Sequence, residues 1–282
     1  MTKKGLVLEG GAMRGLFTAG VMDVLMENHV TFDGAIGVSA GAVFGCNYKS
    51  QQIGRVLRYN TKFCKDPRYA SFRSLLKTGD LYGAEFCYHE LPNKLDLFDT
   101  DTYKKNPMEF YVVCTDLKTG KPVYHNCPTG DGTDITWMRA SASMPMVSRV
   151  VEVDGYQLLD GGIADSIPIR KFQEMGYHKN VIVLTQPSDY IKHKNKILPL
   201  LRIALRKYPE VIHDLEVRHD MYNQTTAYVR LLEQQGDVCV IRPEAPLNIK
   251  QVEHDPAELK RVYDLGKKAG EAKLAEVQAF LA

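Results

Sequence analysis

The sequence has 282 residues, with 36 basic and 34 acidic side chains and 44% hydrophobic residues, which is typical of a globular protein. A net charge of +2 argues against a nucleic-acid-binding protein that relies on a broad phosphate-neutralising face. The six cysteines lack paired metal-ligand spacing, and no early apolar run is long enough for a signal peptide or a membrane span. We therefore expect a reduced, cytoplasmic protein that meets membranes at most peripherally.

The first predicted elements are a buried strand and a helix joined by a glycine loop. Residues 5–9 form a short apolar run, the loop follows at residues 10–15, and apolar residues then keep helical spacing to Asn28. Consecutive backbone amides in such a loop can line a concave wall that binds an anion or a developing oxyanion. Arg14 adds a positive charge to that wall.

Two nucleotide-binding interpretations of this loop fit the sequence poorly. A Walker loop needs Lys-Ser or Lys-Thr after its last glycine, whereas Leu16 follows Gly15. A dinucleotide fingerprint needs a glycine where Ala12 stands, and Asp33 lies at the beginning of the second predicted strand instead of at its end. Neither a nucleotide nor another cofactor is expected.

The second predicted strand ends on a serine between two glycines. Ala35 and Ile36 lead into Gly37-Val38-Ser39-Ala40-Gly41, and a run of small residues follows. A tight strand-to-helix turn of this kind displays the serine hydroxyl, and glycines at 37 and 41 remove side chains that would collide. Ser39 is a candidate nucleophile; the alternative is a serine that only caps the helix.

Residues 51–108 predict a lid or cap over a pocket. The segment mixes basic residues, tyrosines and single apolar residues with several prolines and glycines, and only residues 53–63 have clear helical spacing. Regular structure resumes with a buried strand at residues 110–115, which a hairpin turn after Asp116 connects to residues 123–125.

A second candidate residue stands at the end of a later strand. The small-residue run 136–145 predicts a closely packed helix, and two strands at 150–153 and 156–159 flank a hairpin turn. The second of these strands leads directly into Asp160-Gly161-Gly162, which places an aspartate on a tight loop. A turn aspartate and a functional one are equally consistent with this pattern alone.

The last third of the chain predicts a helix ended by Gly176, a strand at 181–184, a long polar helix at 209–235, a strand at 238–241 and a final helix beginning at Asp255. Six basic residues and no acid lie between 190 and 209. Residues 192–207 could form an interfacial helix on an anionic membrane, or an amphipathic helix packed on the sheet with solvated cations. The second interpretation is favoured.

Together, and in this order, the three motifs resemble those of the patatin-like phospholipases, including the bacterial members. The resemblance covers about residues 5–190. The matching positions are Gly10, Gly11, Arg14 and Gly15 in the first loop, Gly37, Ser39 and Gly41 in the turn, and Asp160 with Gly161 and Gly162 in the last motif. Ala12 departs from the pattern, because a third glycine is usual there.

The resemblance implies an α/β fold in which helices sandwich a mainly parallel sheet, related in layout to the α/β hydrolases. It implies a Ser39–Asp160 dyad and an oxyanion hole at Gly10, Gly11, Ala12 and Arg14, with no metal. No linker divides the sequence, so we expect a single domain over 1–282, with its core at about 5–190 and the region 191–282 packed on it.

These features predict a serine-dependent lipid acyl hydrolase that forms an acyl-enzyme on a lipid or acyl-ester substrate. An aspartate is a weak base in water, but burial would raise its pKa and make it more basic. The alternatives are an acyltransferase, a non-catalytic lipid-binding scaffold, and a Ser-His-Asp triad. A triad would use one of the later histidines, His178, His193, His213, His219 or His254.

Overall fold

The computed structural model describes residues 2–282, and its centre is a mixed, mainly parallel sheet. Its strands are β1 (Lys3–Leu8), β2 (Gly34–Val38), β3 (Glu109–Asp116), β4 (Pro122–Asn126), β5 (Val151–Val153), β6 (Tyr156–Asp160), β7 (Tyr177–Val183) and β8 (Val238–Ile241). The order is β5-β6-β3-β2-β1-β7-β8, with β4 also paired to β3. The pairs β1–β2, β1–β7, β2–β3 and β7–β8 are parallel. The mainly parallel α/β fold predicted from the sequence is confirmed.

Helices cover both faces of the sheet. They are α1 (Gly15–Glu27), α2 (Ala40–Lys49), α3 (Arg55–Phe63), α4 (Phe72–Thr78), α5 (Thr100–Lys105), α6 (Gly132–Ser141), α7 (Ile169–Glu174), α8 (Leu198–Ala204), α9 (Pro209–Gln235) and α10 (Pro256–Leu281). A π-helical segment spans Phe86–Leu95. The long polar helix, the last strand and the capped start of the final helix were predicted at these positions.

Side chains of the strands alternate between the two faces of the sheet and contribute to a hydrophobic core on each face. In β1, Leu6 and Leu8 face the core shared with α1, α2, α6 and α10, whereas Val7 faces the core shared with α7 and α9. Successive side chains of a strand point to opposite faces, so a strand covered on both sides needs apolar residues at nearly every position. This explains the continuous apolar runs in the sequence.

Two segments differ from the sequence-based expectation. Residues 51–108 contain α3, α4, α5 and the π-helical segment, where one helix was predicted. Helices α4 and α5 have 7 and 6 residues and begin at side-chain caps, Ser71 and Asp99, so they are too short to show a period. Helix α6 lies earlier than the run 136–145 and ends at Ser141.

The C-terminal helix packs very closely on the first helix. A Cβ atom added at Gly20 would lie 2.2 Å from the carbonyl oxygen of Tyr263, and one added at Gly266 would lie 2.0 Å from that of Phe17. The Tyr263 hydroxyl also donates a hydrogen bond to Asp23 (2.6 Å). Because β8 extends the same sheet and α10 covers α1, we propose that the chain forms one domain.

We predict that Gly266→Ala destabilises the protein by about 1–3 kcal/mol, because the new methyl group meets backbone that cannot move away. Gly270→Ala is the matched control on the same helix, where the nearest atom to an added Cβ is the Cβ of Val24 at 3.1 Å. Thermal unfolding of both variants measures the difference. Equal melting temperatures would show that the helix crossing is not a constraint.

Candidate active site

Ser39 and Asp160 meet because two strands share one edge of β3. Strand β4 pairs with residues 111–115 of β3, and its register overlaps those of β2 and β6, so β2 and β6 must both lie on the opposite edge. Parallel β2 ends with Val38 beside Val113, and antiparallel β6 ends with Asp160 beside Cys114. The two strand ends therefore face each other.

The turn at Ser39 has the strained geometry that displays a side chain. Ser39 has φ 55° and ψ −120°, a conformation that residues with a Cβ rarely adopt. A Cβ atom at Gly37 would lie 2.2 Å from the carbonyl oxygen of Gly41, so the close approach predicted from the sequence is present. The Ser39 side chain makes no capping bond to α2, so the interpretation as a simple helix cap is wrong.

The Asp160 carboxylate is buried next to the Ser39 hydroxyl. Its Oδ1 accepts a hydrogen bond from the Gly162 amide at 2.7 Å, and the Ser39 side chain is near enough to influence its pKa. Burial raises the pKa of Asp160 above its usual value, and the nearby Ser39 hydroxyl, the charge of Arg218 and the bond from the Gly162 amide oppose that rise. The environment thus makes this carboxylate a stronger base than an exposed aspartate.

Small polar residues hold the two strand ends in place. The Ser141 hydroxyl donates to the carbonyl oxygen of Val113 (2.6 Å) and accepts from the Ser39 amide (2.9 Å). The Asp160 amide donates to the carbonyl oxygen of Ser143 at 2.8 Å. The small-residue run at the end of α6 therefore brings its backbone and hydroxyls against both motifs.

The glycine loop lies directly against Ser39. A Cβ atom at Gly10 would be 2.9 Å from the Cβ of Ser39. Within residues 2–282, the amides of Gly10, Gly11 and Ala12 donate no hydrogen bond to another protein group. Ala12 has φ 49°, and Arg14 follows in a short 3₁₀ turn. Free amides beside a displayed hydroxyl can donate hydrogen bonds that stabilise a developing negative charge.

An apolar cavity of about 140 Å³ opens on one side of Ser39. Helices α2, α3 and α6 and the π-helical segment line it. Its apolar lining includes Val43, Phe44, Tyr59, Leu91, Phe98 and Met138. The segment 51–108 therefore forms part of a pocket wall, as its composition led us to expect.

A larger and more polar cleft of about 440 Å³ opens on the other side of Ser39. We call it the charged cleft, because its wall carries Glu9, Arg14, Asp160, Lys192 and Arg218. Ala12, Ser39 and Met144 line both this cleft and the apolar cavity. Ser39 thus stands at the junction of an apolar and a charged compartment.

Models of known protein families match two parts of the chain. The family model of the patatin-like phospholipases matches residues 6–172, more than half of the chain. The chain belongs to the patatin-like phospholipase family. A further model, described as a domain of unknown function (DUF6363), matches residues 208–282.

The chain covers very different shares of the proteins that it resembles. The uncharacterized protein YjjU of Escherichia coli is 28% identical, over 98% of this chain and 78% of YjjU. Lysophospholipase nte1 of Aspergillus oryzae is 25% identical over 61% of this chain, which spans only 11% of nte1. VipD of Legionella pneumophila has a similar fold (TM-score 0.50, 12% identity), covering 98% of this chain and 67% of VipD.

The structure gives no support for a histidine in this patatin-like site. Among residues 2–282, no histidine lines the apolar cavity or the charged cleft. Of the five histidines considered for a triad, His219 lies beside Asp220 and His254 contacts Cys64. The side chain that faces Ser39 is Asp160.

Sequence reasoning missed the residues that the C-terminal region adds to the cleft. Arg218 and Tyr222 lie on α9, in a long helix with little amphipathic contrast. The available signal was their spacing, because they share the face of the buried residues Val211, Leu215 and Val229. An arginine at a core-facing helical position is unusual and marks a specific environment.

The basic segment 192–207 is only partly as predicted. Lys192, which would face anionic lipid in the less favoured interpretation, lines the charged cleft. Leu201 and Leu205 are buried against α9. The favoured interpretation, packing against the fold, is correct for that face of α8.

One group of metal-ligand residue types lies elsewhere. His125, Cys127 and Asp134 have ligand atoms within 4.8 Å of one another. The Asp134 carboxylate already accepts hydrogen bonds from the amides of Thr129 (2.7 Å) and Gly130 (2.8 Å). These bonds give the carboxylate a structural role in the loop before α6.

Within residues 2–282, no helix combines the length and the apolar content needed to cross a bilayer.

We predict that Arg218→Gln raises the pKa of Asp160 further, because Arg218 stabilises the ionised carboxylate. Arg218→Lys keeps the positive charge and should change the pKa of Asp160 less. Arg230→Gln, on the same helix, is a distant control. Carboxyl ¹³C titration, with Asp160→Asn to assign the signal, measures the shift. An unchanged or lowered pKa in Arg218→Gln would contradict this electrostatic coupling.

Proposed function

We propose that the protein is a serine-dependent lipid acyl hydrolase that cleaves a carboxylic ester through an acyl-enzyme. The observation that carries this proposal is the strained Ser39, which lies beside a buried Asp160 and between an apolar cavity and a charged cleft. Membership of the patatin-like phospholipase family supports the reaction class.

The first half-reaction transfers the acyl group to the enzyme. Ser39 Oγ forms a bond to the ester carbonyl carbon while its proton moves to the Asp160 carboxylate. The amides of Gly10, Gly11 and Ala12, with Arg14 nearby, stabilise the oxyanion of the tetrahedral intermediate. Asp160 then gives the proton to the leaving alcohol oxygen as the carbon–oxygen bond breaks.

The second half-reaction returns the enzyme to its starting state. A water molecule attacks the acyl carbon and transfers a proton to Asp160, and the released Ser39 oxygen takes that proton back. The fatty acid leaves from the apolar cavity. If an alcohol replaced water in this step, the same residues would perform acyl transfer, which remains the second candidate.

The apolar cavity suits a fatty acyl chain and the charged cleft suits a polar head group. The name of the similar lysophospholipase nte1 supports a phospholipid with a single acyl chain. A non-catalytic scaffold is a weaker proposal, because it would not require both the strained Ser39 and the buried Asp160. A fluorophosphonate probe, which reacts with activated serines, separates the two.

We predict that Ser39→Ala abolishes ester hydrolysis and probe labelling, and that Asp160→Asn lowers kcat by about 100-fold or more, since asparagine cannot accept the proton. Asp165→Asn is the matched control, because burial raises the pKa of Asp165 to about 6 although it lines neither cavity. Rates on p-nitrophenyl esters measure all three.

His219→Ala should retain most of the activity. A histidine variant as inactive as Ser39→Ala would establish a triad and overturn the dyad.

We also propose that α8 contacts an anionic membrane through its exposed apolar side chains. Ile197, Leu200 and Ile203 share an outward face and are 48%, 54% and 68% exposed. Exposed cations stand beside them at Lys196, Arg206 and Lys207, a combination that suits anionic lipid. Ile197 also lines the charged cleft, so this face adjoins the opening through which a lipid would enter.

The double variant Leu200→Asp with Ile203→Asp should lose co-sedimentation with phosphatidylglycerol vesicles, because two new carboxylates oppose insertion. It should keep its rate on a soluble short-chain ester. Leu231→Asp, at an exposed apolar position on α9, is the control. Unchanged sedimentation of the double variant would remove the membrane proposal.

A further inference from the structure

Three cationic side chains line the charged cleft without forming a direct ion pair with an acidic side chain. Arg14, Lys192 and Arg218 all line it. Within residues 2–282, many other basic side chains form ion pairs, but none of these three has a carboxylate oxygen within salt-bridge distance. Grouping like charges in a partly buried cleft is unfavourable unless an anion balances them.

Each of the three cations has donors left over. The buried Nε of Arg14 has no hydrogen-bond partner. Arg218 donates through Nε to the carbonyl oxygen of Gly162, which leaves the rest of its guanidinium fork available. The Lys192 amino group lies 4.6 Å from the centre of the Tyr222 ring.

The two acids of the cleft are already occupied. Glu9 accepts hydrogen bonds from the Tyr222 hydroxyl (2.6 Å) and the Thr185 amide (2.6 Å). Asp160 accepts a hydrogen bond from the Gly162 amide and lies beside Ser39. Neither carboxylate therefore neutralises the three cations by direct pairing.

We propose that Arg14, Lys192 and Arg218 bind the phosphate of a glycerophospholipid whose acyl ester lies at Ser39. This inference rests on the proposed hydrolase function, and it adds the class of head group. Guanidinium forks and an ammonium group are the donors that proteins use for phosphate oxygens. Because Ser39 lines both compartments, the acyl chain would occupy the apolar cavity while the phosphate occupies the charged cleft.

The three cations would also select lipid head groups by their charge. Three cations favour a phosphate monoester or another anionic head group, whereas the ammonium group of choline or ethanolamine would be repelled. Lys192 and Arg218 both lie outside residues 6–172, which match the phospholipase family model. The C-terminal part of the chain would thus determine head-group preference.

The direct test is binding of glycerol 3-phosphate, with inorganic phosphate and glycerol as reference ligands, measured by calorimetry on the wild-type protein. Lys192→Gln should weaken glycerol 3-phosphate binding by about tenfold or more, as expected for loss of a charge-assisted bond. Lys194→Gln removes an exposed lysine two residues away that does not line the cleft, and it should bind as the wild type does.

Kinetics with monomeric short-chain substrates assign the phosphate to a lipid. We expect Lys192→Gln to lower the ratio of kcat/KM for lysophosphatidate to kcat/KM for the matching monoacylglycerol by about tenfold. If binding of phosphate weakens but this ratio does not change, the cleft holds a free anion and the head-group assignment is wrong. If Lys192→Gln binds glycerol 3-phosphate normally, the site itself is wrong.

The pH dependence gives an independent readout. Burial, with Arg218 and Arg14 nearby, lowers the pKa of Lys192 to about 8 although Glu9 opposes that change. Lysine is charged below its pKa, and a phosphate monoester is already a dianion above pH 7. Affinity for glycerol 3-phosphate should therefore fall between pH 7.5 and 9.5 in the wild type, and less in Lys192→Gln. The other groups that face Lys192 are Tyr190 and Tyr222.

The two proposals fail in different ways. A wild-type protein that hydrolyses no ester and resists the fluorophosphonate probe would refute the hydrolase, yet calorimetry would still report whether phosphate binds. A protein that hydrolyses simple esters but shows no effect of Lys192→Gln on either assay would keep the hydrolase and refute the phosphate site.

Discussion

The arrangement of the candidate site depends on one edge of β3. Strand β2 ends beside Val113 and β6, running the other way, ends beside Cys114, so Ser39 and Asp160 follow two strand ends that face each other. This leaves almost no space, and a Cβ atom at Gly161 would lie 2.0 Å from the carbonyl oxygen of Val113. Backbone pairing, more than side-chain length, sets the separation of the two groups, which gives them the fixed geometry that proton transfer needs.

That rigidity is combined with two locally unfavourable features. Ser39 has a strained backbone conformation, and burial disfavours the ionised form of Asp160. The surrounding structure compensates through the hydrogen bond that the Ser39 amide donates to Ser141, the bond from the Gly162 amide to Asp160 and the charge of Arg218. Burial destabilises the ionised carboxylate, which lowers the stability of the fold, and it also makes the carboxylate more basic. The loss of stability and the proposed chemistry therefore have one physical origin.

The sequence predicted the features that local patterns encode. Glycines around Ser39 and after Asp160 are required by close backbone contacts, and they mark those turns in the linear sequence. The partners from the last third were not predicted, because Arg218 reaches the site only through the long-range packing of α9. Lys192 shows the same limit: its charge was evident, but the sequence alone could not separate it from Lys194, since only the fold turns one inward and leaves the other exposed.

The packing of α8 and α9 also sets when the site can form during synthesis. A chain leaves the ribosome from its N-terminus, and both motif residues are made well before the segments that cover them. Leu159 and Ile163, on either side of Asp160, are buried against residues of α8 and α9, and α1 receives its partner only with α10. A nascent chain therefore carries Ser39 and Asp160 without the dry surroundings that raise the pKa of the aspartate. The surroundings that raise the pKa of Asp160 are therefore complete only after α8 and α9 have been made and packed against Leu159 and Ile163.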